Sequence, residues 1–333
     1  MLRLLIICLA LSPAPAAVTD PSLGWLPLPP RLEWHADHAP PAGSALVGRA
    51  LAIILLDYER GAKNAPGMIQ YYGQEWLWGE GGLSNDFKQV GLVVAVNGPL
   101  PAKKPEQPAT LLKAEDGTGG LLRALGGDAK ELLILVNPQG RIVRFERFPG
   151  RFDSYVKEFK EMLPTKEALV ADYSQFPPSC QPAFILLRAA DVRGGMALCS
   201  KKLGVAGAGL LKAMVSEASD MAIAEAAILG DVDKPSSDRF IAQGRLLALL
   251  ADFSQSAKQP AVAAALKMSR SDKAILREQA GWAALQSYIS AASKATAKKM
   301  AEPQNMLKTI ASDFKGTYAA ELADFIIKAT KTP

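Results

Sequence analysis

The first half of the chain alternates short apolar runs with patterns of helical spacing. Runs of this length, rich in Val, Ile and Leu and bounded by turn residues, are typical of strands that are buried on both faces of a sheet. Between the first two runs, residues 67–78 (GMIQYYGQEWLW) predict a helix, and residues 151–163 predict a closing helix with one apolar face. The four predicted strands are ALAIILLD (50–57), GLVVAVN (91–97), ELLILVN (131–137) and RIVRFERF (141–148).

The connections between these runs have different characters. Residues 98–120 (GPLPAKKPEQPATLLKAEDGTGG) are rich in proline and charge, which predicts a surface loop. Asn137-Pro138-Gln139-Gly140 predicts a type I turn between the last two strands, because proline presets φ and glycine permits the exit. We therefore predict an α/β domain with a mixed four-stranded sheet and flanking helices.

From residue 165 onward, strand-like runs give way to Ala-rich patterns of helical spacing, which predict an all-α domain. The glycine run GVAGAG (204–209) is interpreted as a connection between two helices, and Trp282 is predicted to face inward. Two of the helices are predicted to bury the following residues: Leu210, Met214, Met221 and Ile228 on one, and Phe240, Gly244, Leu247 and Ala251 on the next.

The last stretch reads as two helices that meet near Gly316 and weakly resembles tetratricopeptide-type repeats. That resemblance implies stacked helix pairs with a groove for other proteins. A plain helical bundle that supports the sheet domain is the alternative, since no 34-residue period is visible. The residues that carry the resemblance are Leu307, Ile310 and Phe314 on one helix, and Ala319, Ala320, Ala323 and Ile327 on the other.

The first folded unit resembles the thioredoxin-like family, in particular its exported members. The resemblance is carried by residues 46–58 (LVGRALAIILLDY), 91–97 (GLVVAVN) and 131–148 (ELLILVNPQGRIVRFERF), in this order and spacing. It implies a thioredoxin-like fold, whose reaction uses a Cys-x-x-Cys pair at a helix N-terminus. This chain has no cysteine between residues 9 and 179. The resemblance therefore implies a redox-inactive member, and no catalytic residue carries over.

The N-terminus has the layout of a secretory signal, with Arg3, an apolar stretch and small residues before Val18. We predict a signal peptide at 1–17, a Pro-rich segment at 18–45, the thioredoxin-like domain at 46–164 and the α-helical domain at 165–333. The protein is expected to be exported, to the periplasm or the medium. No later stretch is predicted to span a membrane.

Cys180 and Cys199 are the two cysteines outside the predicted signal peptide. In an oxidising compartment such a pair can form a structural disulfide. The alternative is two free thiols that act as small buried apolar residues.

Two further groups of residues are candidates for binding. One is the stretch after the first strand, where a helix start could hold an anion and tryptophans could anchor a partner, although solvated loops have the same composition. The other is a metal site at His35 and His38 with Asp37, against the alternative of a segment that packs across the domain. The proposed interaction surface of the first group comprises Arg60, Lys63, Asn64, Trp76 and Trp78.

The charge is uneven along the chain. The net charge is +5, and residues 165–333 carry 21 basic and 16 acidic side chains, with no Lys/Arg run longer than two. Nucleic-acid binding is therefore not predicted, and neither is a cofactor. We predict an exported, redox-inactive thioredoxin-like protein that binds or scaffolds another protein. The alternative is a thiol-disulfide oxidoreductase that uses Cys180 and Cys199.

Overall fold

The strands of the described residues form one mixed sheet of six, in the order β1-β4-β3-β2-β5-β6. β2 runs parallel to β3 and β3 parallel to β4, whereas β1–β4, β2–β5 and β5–β6 are antiparallel pairs. The strands are β1 (Glu33–Trp34), β2 (Ala50–Asp57), β3 (Gln89–Val96), β4 (Leu111–Asp116), β5 (Glu131–Val136) and β6 (Ile142–Arg147). The structure, a computed structural model, describes residues 25–26, 32–34, 39–57, 89–96, 111–116, 120–147, 152–164, 169, 173–296 and 299–331.

The sequence pattern explains which strands lie at the centre. β2 is an unbroken apolar run up to Asp57, and all eight of its residues are buried between β3 and β5. Five of the six residues of β5 are buried as well. β6, at the edge, has three apolar residues among six, buries two of them, Ile142 and Phe145, and exposes the third, Val143. Apolar content thus decreases from the centre of the sheet to this edge, as a half-buried edge strand requires.

The prediction of a four-stranded thioredoxin-like sheet is wrong. In the described residues the sheet has six strands; β2, β5 and β6 form an antiparallel group of three, and β1 pairs antiparallel with β4 at the other edge. β4 lies in the segment predicted as a surface loop, where it pairs in parallel with β3 and buries Ala114 completely. Composition misled the prediction, because LLKAED mixes apolar and charged residues and follows a Pro-rich stretch. Most of the described residues are helical, and most of the helical residues lie in the C-terminal part.

Eleven α-helices lie in the described ranges, and from residue 173 onward these ranges contain helices without strands, which confirms the predicted all-helical C-terminal part. Short 3₁₀ turns occur at Tyr173–Gln175, Pro178–Cys180 and Ser254–Lys258. The helices are α1 (Gly43–Leu46), α2 (Gly120–Gly126), α3 (Phe152–Met162), α4 (Gln181–Arg188), α5 (Val192–Lys202), α6 (Gly204–Gly230), α7 (Ser236–Asp252), α8 (Pro260–Ser269), α9 (Lys273–Lys294), α10 (Ala301–Asp313) and α11 (Tyr318–Lys331).

Helix α6 is the longest element and contains the glycine run that was interpreted as a connection. That interpretation is wrong, because α6 begins at Gly204, directly after α5 and the single residue Leu203. Its buried stripe recurs every three or four residues, as a helix with one packed face requires. Met221 and Ile228, predicted in this stripe, are only half-buried. The buried residues of α6 are Gly207, Leu210, Met214, Ala218, Ala222, Glu225, Ala226 and Leu229.

Helix α7 is covered on almost every side. Of its 17 residues only Leu247 and Ala251 are exposed, although both were predicted to face the core. The side chain of Trp25 packs against α7 so closely that a Cβ at Gly244 would lie 2.7 Å from the Cβ of Trp25. The prediction of one apolar face failed because α7 packs against α1, α6 and α9 at once. Such a helix needs no single buried stripe.

One continuous cluster of buried apolar side chains extends through both the sheet and the helices. Phe145 of β6 stacks on Phe325 of α11 with ring centroids 6.2 Å apart. The hydroxyl of Tyr288 on α9 donates to the carbonyl of Ala124 on α2 at 2.6 Å. The sheet and the helical part therefore share a core.

Helices α10 and α11 meet at Gly316, as the sequence predicts. Gly316 has φ +85°, a left-handed conformation that glycine adopts at no steric cost. Leu307 and Ile310 of α10 are buried, while Phe314 is half-buried. On α11, Ala319, Ala320 and Ala323 are buried as predicted, and Ile326 is buried in place of Ile327, which is half-buried.

Replacement of Gly120 by alanine tests how tightly α2 packs on α9. A Cβ at Gly120 would lie 2.2 Å from the backbone carbonyl oxygen of Ser293, which cannot move independently of its helix. We expect Gly120→Ala to lower the free energy of unfolding by about 1–3 kcal/mol. Guanidinium-induced unfolding followed by circular dichroism measures this change.

Gly209→Ala is the matched control, because the added Cβ on α6 would meet no side chain and no backbone of another element within 4 Å. This substitution is expected to stabilise the protein by up to about 1 kcal/mol through helix propensity. Equal effects of the two substitutions would contradict the close packing of α2 on α9.

Candidate functional site

Several residues predicted as sites fall outside the described residues. These are the proposed interaction surface at Arg60, Lys63, Asn64, Trp76 and Trp78, and the His35, Asp37 and His38 group. Within the described ranges, no group of three or more His, Cys, Asp and Glu side chains is arranged to hold a metal ion. None of the helices in these ranges combines the length and the apolar character that crossing a membrane requires.

Cys180 and Cys199 are both buried and both free. Cys180 ends a 3₁₀ turn just before α4, and Cys199 lies in the last turns of α5. Burial raises the pKa of Cys199, and the nearby Cys180 raises it further. Since the thiolate is the reactive form, a raised pKa and exclusion from solvent make this thiol a poor nucleophile at neutral pH.

A dense polar arrangement lies where the β5–β6 turn meets the helices. The turn begins at Asn137, whose carbonyl accepts from the N–H of Gly140 at 2.8 Å. Gly140 has φ +85°, and a Cβ there would lie 2.8 Å from Ile241 and 3.2 Å from Trp25. The predicted turn glycine is thus required for its conformation and also for the close approach of the turn to α7.

Arg141 follows this turn and binds two helices at once. Its guanidinium forms ion pairs with Asp238 of α7 and with Glu321 of α11, the latter at 2.6 Å. It also donates to the hydroxyl of Ser237 at 3.1 Å, and it lies 6.0 Å from the ring centroid of Tyr318. One cation therefore joins the sheet to the first turns of both α7 and α11.

Glu278 lies fully buried beside this ion-pair network. Its carboxylate accepts from the hydroxyl of Ser236 at 2.6 Å and from the backbone N–H of Tyr318 at 2.9 Å. Burial raises the pKa of Glu278 above its ordinary value, and these two hydrogen bonds act in the opposite direction. Glu278 thereby connects α9 to the N-termini of α7 and α11.

Aromatic rings fill the space beneath the polar groups. Tyr318 stacks on Trp282 with centroids 5.6 Å apart, and Trp282 contacts Phe240 at 5.7 Å. The hydroxyl of Tyr318 accepts from the N–H of Ile142 at 3.4 Å and donates to the carbonyl of Gly140 at 3.5 Å. The predicted inward orientation of Trp282 is confirmed. We call the group of Arg141, Asp238, Glu278, Tyr318 and Glu321 the junction cluster.

A second buried ion pair lies between α6 and α7. Arg245 Nη2 is 2.7 Å from Glu225 Oε1, and both side chains are almost fully buried. Burial raises the pKa of Glu225 and lowers that of Arg245, because it disfavours both charged forms. The second carboxylate oxygen and Arg245 Nε have no hydrogen-bond partner in the structure. The pair fixes the register of α6 against α7. Its hydrogen bonds do not fully offset the free energy that is lost when both charges leave water.

The geometry of these groups favours a structural role over a chemical one. Every charged side chain of the junction cluster is bound to another member or to a helix terminus. Sequence reasoning did not identify the cluster, since Arg141 lies 97 residues from Asp238 and 180 from Glu321. The only local signal was the turn signature before Arg141.

Comparison with protein-family models, curated proteins and solved structures finds no match in any of the three. The family resemblances stated above consequently stay predictions.

Slow thiol reactivity is expected for Cys180 and Cys199. In protein that lacks residues 1–17, their reaction with a chromogenic disulfide reagent should be at least about a hundredfold slower in the native state than in guanidinium, because it requires local opening. The measurement is thiol release followed by absorbance. Ser200→Cys is the matched control, since Ser200 is exposed next to Cys199 and its cysteine should react fast. Native reaction of Cys199 at the rate of that control would contradict the burial.

A pH effect is expected from Glu278. Its raised pKa means that the folded state binds the proton more tightly than the unfolded state. The stability that comes from this tighter proton binding is fully present below the ordinary pKa of 4.5, and it is lost as the pH rises through the pKa of the folded state. Relative to Glu278→Gln, the wild type should therefore lose free energy of unfolding between pH 4.5 and neutral pH. Urea unfolding of both proteins across that range measures the difference.

Asp272→Asn provides a control of opposite sign. The hydrogen bond from Arg239 lowers the pKa of Asp272 below its ordinary 3.8. The stability that Asp272 contributes is thus present above pH 3.8 and is lost as the pH falls. If the wild type and Glu278→Gln differ in free energy of unfolding by the same amount at every pH, burial of Glu278 does not shift its pKa.

Proposed function

We propose that this is an exported protein that binds another protein through its helical part, with the sheet as a rigid support. The signal-like N-terminus, residues 1–17, is the basis for export. The observation that carries the binding role is the distribution of exposed apolar side chains. Among the described residues, six of the seven large apolar side chains that are exposed belong to the helical part, and Val143 of β6 is the seventh. The six are Ile185, Val205, Ile223, Val232, Leu247 and Leu276.

Two of these six lie at the same level of one helix pair. The contact between Glu225 and Arg245 sets the register of α6 and α7. Because the two helices are joined by the short segment 231–235 and run antiparallel, Ile223 and Leu247 each lie two residues from that contact in the same direction. Two residues are about 200° round a helix, so the two side chains lie at one level on opposite sides of the pair. A partner that contacts both must therefore span the helix pair, and exposed apolar side chains suit such a contact.

Rigidity of the helical part supports the same proposal. The junction cluster and the shared core hold α7, α9 and α11 against the sheet. A surface on preorganised helices loses little conformational entropy when a partner binds. This favours a scaffold whose helices present fixed apolar side chains.

The alternative function, thiol-disulfide chemistry at Cys180 and Cys199, is less well supported. Both thiols are buried, and burial raises the pKa of Cys199, which opposes formation of the attacking thiolate. Binding without covalent chemistry fits these observations better.

The proposal is tested with the double variant Ile223→Ser/Leu247→Ser. Ile223 is 37% and Leu247 42% exposed, so the double substitution should lower the free energy of unfolding by no more than about 3 kcal/mol, and circular dichroism checks that the variant folds. We expect the wild type to retain one protein in stoichiometric amount from the extracytoplasmic fraction of its host, and the double variant to lose it. Affinity capture with quantitative mass spectrometry measures the retained amounts.

Val143→Ser is the matched control, because Val143 is equally an exposed apolar residue but lies on the sheet. This variant should retain the partner at the wild-type level. Equal retention by the double variant, or consumption of a small molecule by the protein without any retained partner, would contradict the proposal.

A further inference from the structure

The corner where α5 turns into α6 combines exposed apolar and basic side chains. α5 ends with Lys201 and Lys202, and α6 begins two residues later at Gly204. Val205, in the first turn of α6, is 92% exposed, the largest exposure of any large apolar side chain in the described ranges. No atom lies within 4 Å of a Cβ built at Gly204 or at Gly209, so this side of the corner faces open space.

The exposed side chains of α6 lie on one face. Ala208, Gly209 and Lys212 lie three, four and seven residues after Val205, and all four residues are exposed. The opposite face is fixed by packing: a Cβ at Gly207 would lie 2.3 Å from the carbonyl oxygen of Cys199, and Leu210 is fully buried. The open face therefore cannot rotate inward to hide Val205.

The charge at this corner has one sign. Between residues 173 and 216 the chain has five basic side chains and a single acidic one, Asp191. The carboxylate of Asp191 caps the start of α5 through the N–H of Gly194, at the far end from the corner. The basic side chains are Arg188, Arg193, Lys201, Lys202 and Lys212.

The three lysines of the corner have charges that no described residue neutralises. Arg193 pairs with Asp252 at 2.7 Å, whereas Lys201, Lys202 and Lys212 are exposed and form no ion pair with any described residue. We call Lys201, Lys202, Val205 and Lys212 the basic corner.

We infer that the basic corner docks the protein on the surface of an anionic lipid bilayer. The lysines would lie at the level of the phosphate groups, and Val205 would enter the headgroup region between them. Each Lys close to an anionic bilayer surface is attracted by about 1 kcal/mol, which multiplies affinity by about fivefold. The protruding Val205 adds apolar burial to this attraction.

The shape of the corner favours a bilayer over an acidic protein. Val205 projects from a convex turn, and its nearest exposed neighbours on α6 are small, Ala208 and Gly209. A bilayer deforms around such a projection, whereas a protein must offer a matching cavity. Charge complementarity and the projecting apolar side chain together are typical of proteins that bind at the membrane interface.

Vesicle binding tests this inference. The processed protein, without residues 1–17, is mixed with vesicles of phosphatidylcholine and phosphatidylglycerol, or of phosphatidylcholine alone, and binding is measured by co-sedimentation. We expect binding to the anionic vesicles only, and loss of that binding at high salt. Lys201→Gln/Lys202→Gln/Lys212→Gln should weaken it about a hundredfold, from about fivefold for each lysine. Val205→Ser should weaken it severalfold with net charge unchanged.

The matched control removes three exposed lysines elsewhere in the helical part, in Lys267→Gln/Lys308→Gln/Lys315→Gln. It has the same net charge as the first triple variant and should bind nearly as well as the wild type. Equal weakening of both triple variants would overturn the inference, because attraction would then follow net charge alone. Absence of binding to anionic vesicles would also overturn it. A third result would overturn it as well: Val205→Ser binds the anionic vesicles as well as the wild type does, and polyglutamate displaces the wild type from them completely. Those two results together would assign the corner to an acidic protein.

Discussion

The contact of the β5–β6 turn with the helices is the constraint on which the rest of the structure depends. Gly140 allows the turn to touch α7, and Arg141 then binds α7 and α11 together. Because the turn covers a side of α7 that would otherwise face solvent, α7 is buried on almost every side. The helical part is thus completed by the sheet, and a core shared in this way predicts cooperative unfolding of both.

Buried charges specify this arrangement more than they stabilise it. Glu278 accepts hydrogen bonds from α7 and α11, which fixes where both helices begin. Glu225 and Arg245 fix the register of α6 and α7 but leave two polar atoms without partners. Burial of such pairs costs desolvation free energy that an apolar pair of similar size would avoid. These charged residues lie where helices contact each other. A different packing of the same apolar faces would leave the charges unpaired, so they favour one arrangement of the helices over the others.

The pattern of apolar and polar residues predicted correctly those elements that carry the signal for their burial within their own sequence. β2 is apolar along seven consecutive residues, and the Asn137–Gly140 turn has its own signature. β4 was missed because its pairing with β3 outweighs a mixed composition. The face of α7 was misassigned because distant elements cover it, and Leu247 is exposed as a result. The junction cluster could not be predicted, since its ion pairs join residues up to 180 positions apart.

The geometry of α6 relates the two proposed surfaces. Val205 lies at its start, and Ile223 lies 18 residues further along the same helix. At 1.5 Å per residue this separates them by roughly 27 Å along the helix axis. Eighteen residues are five full turns, so Ile223 lies on the same face of α6 as Val205 and stays free of a bilayer only where α6 stands end-on to the surface. One rigid helix then supports both contacts, and a scaffold that holds its partner beside a membrane needs this separation.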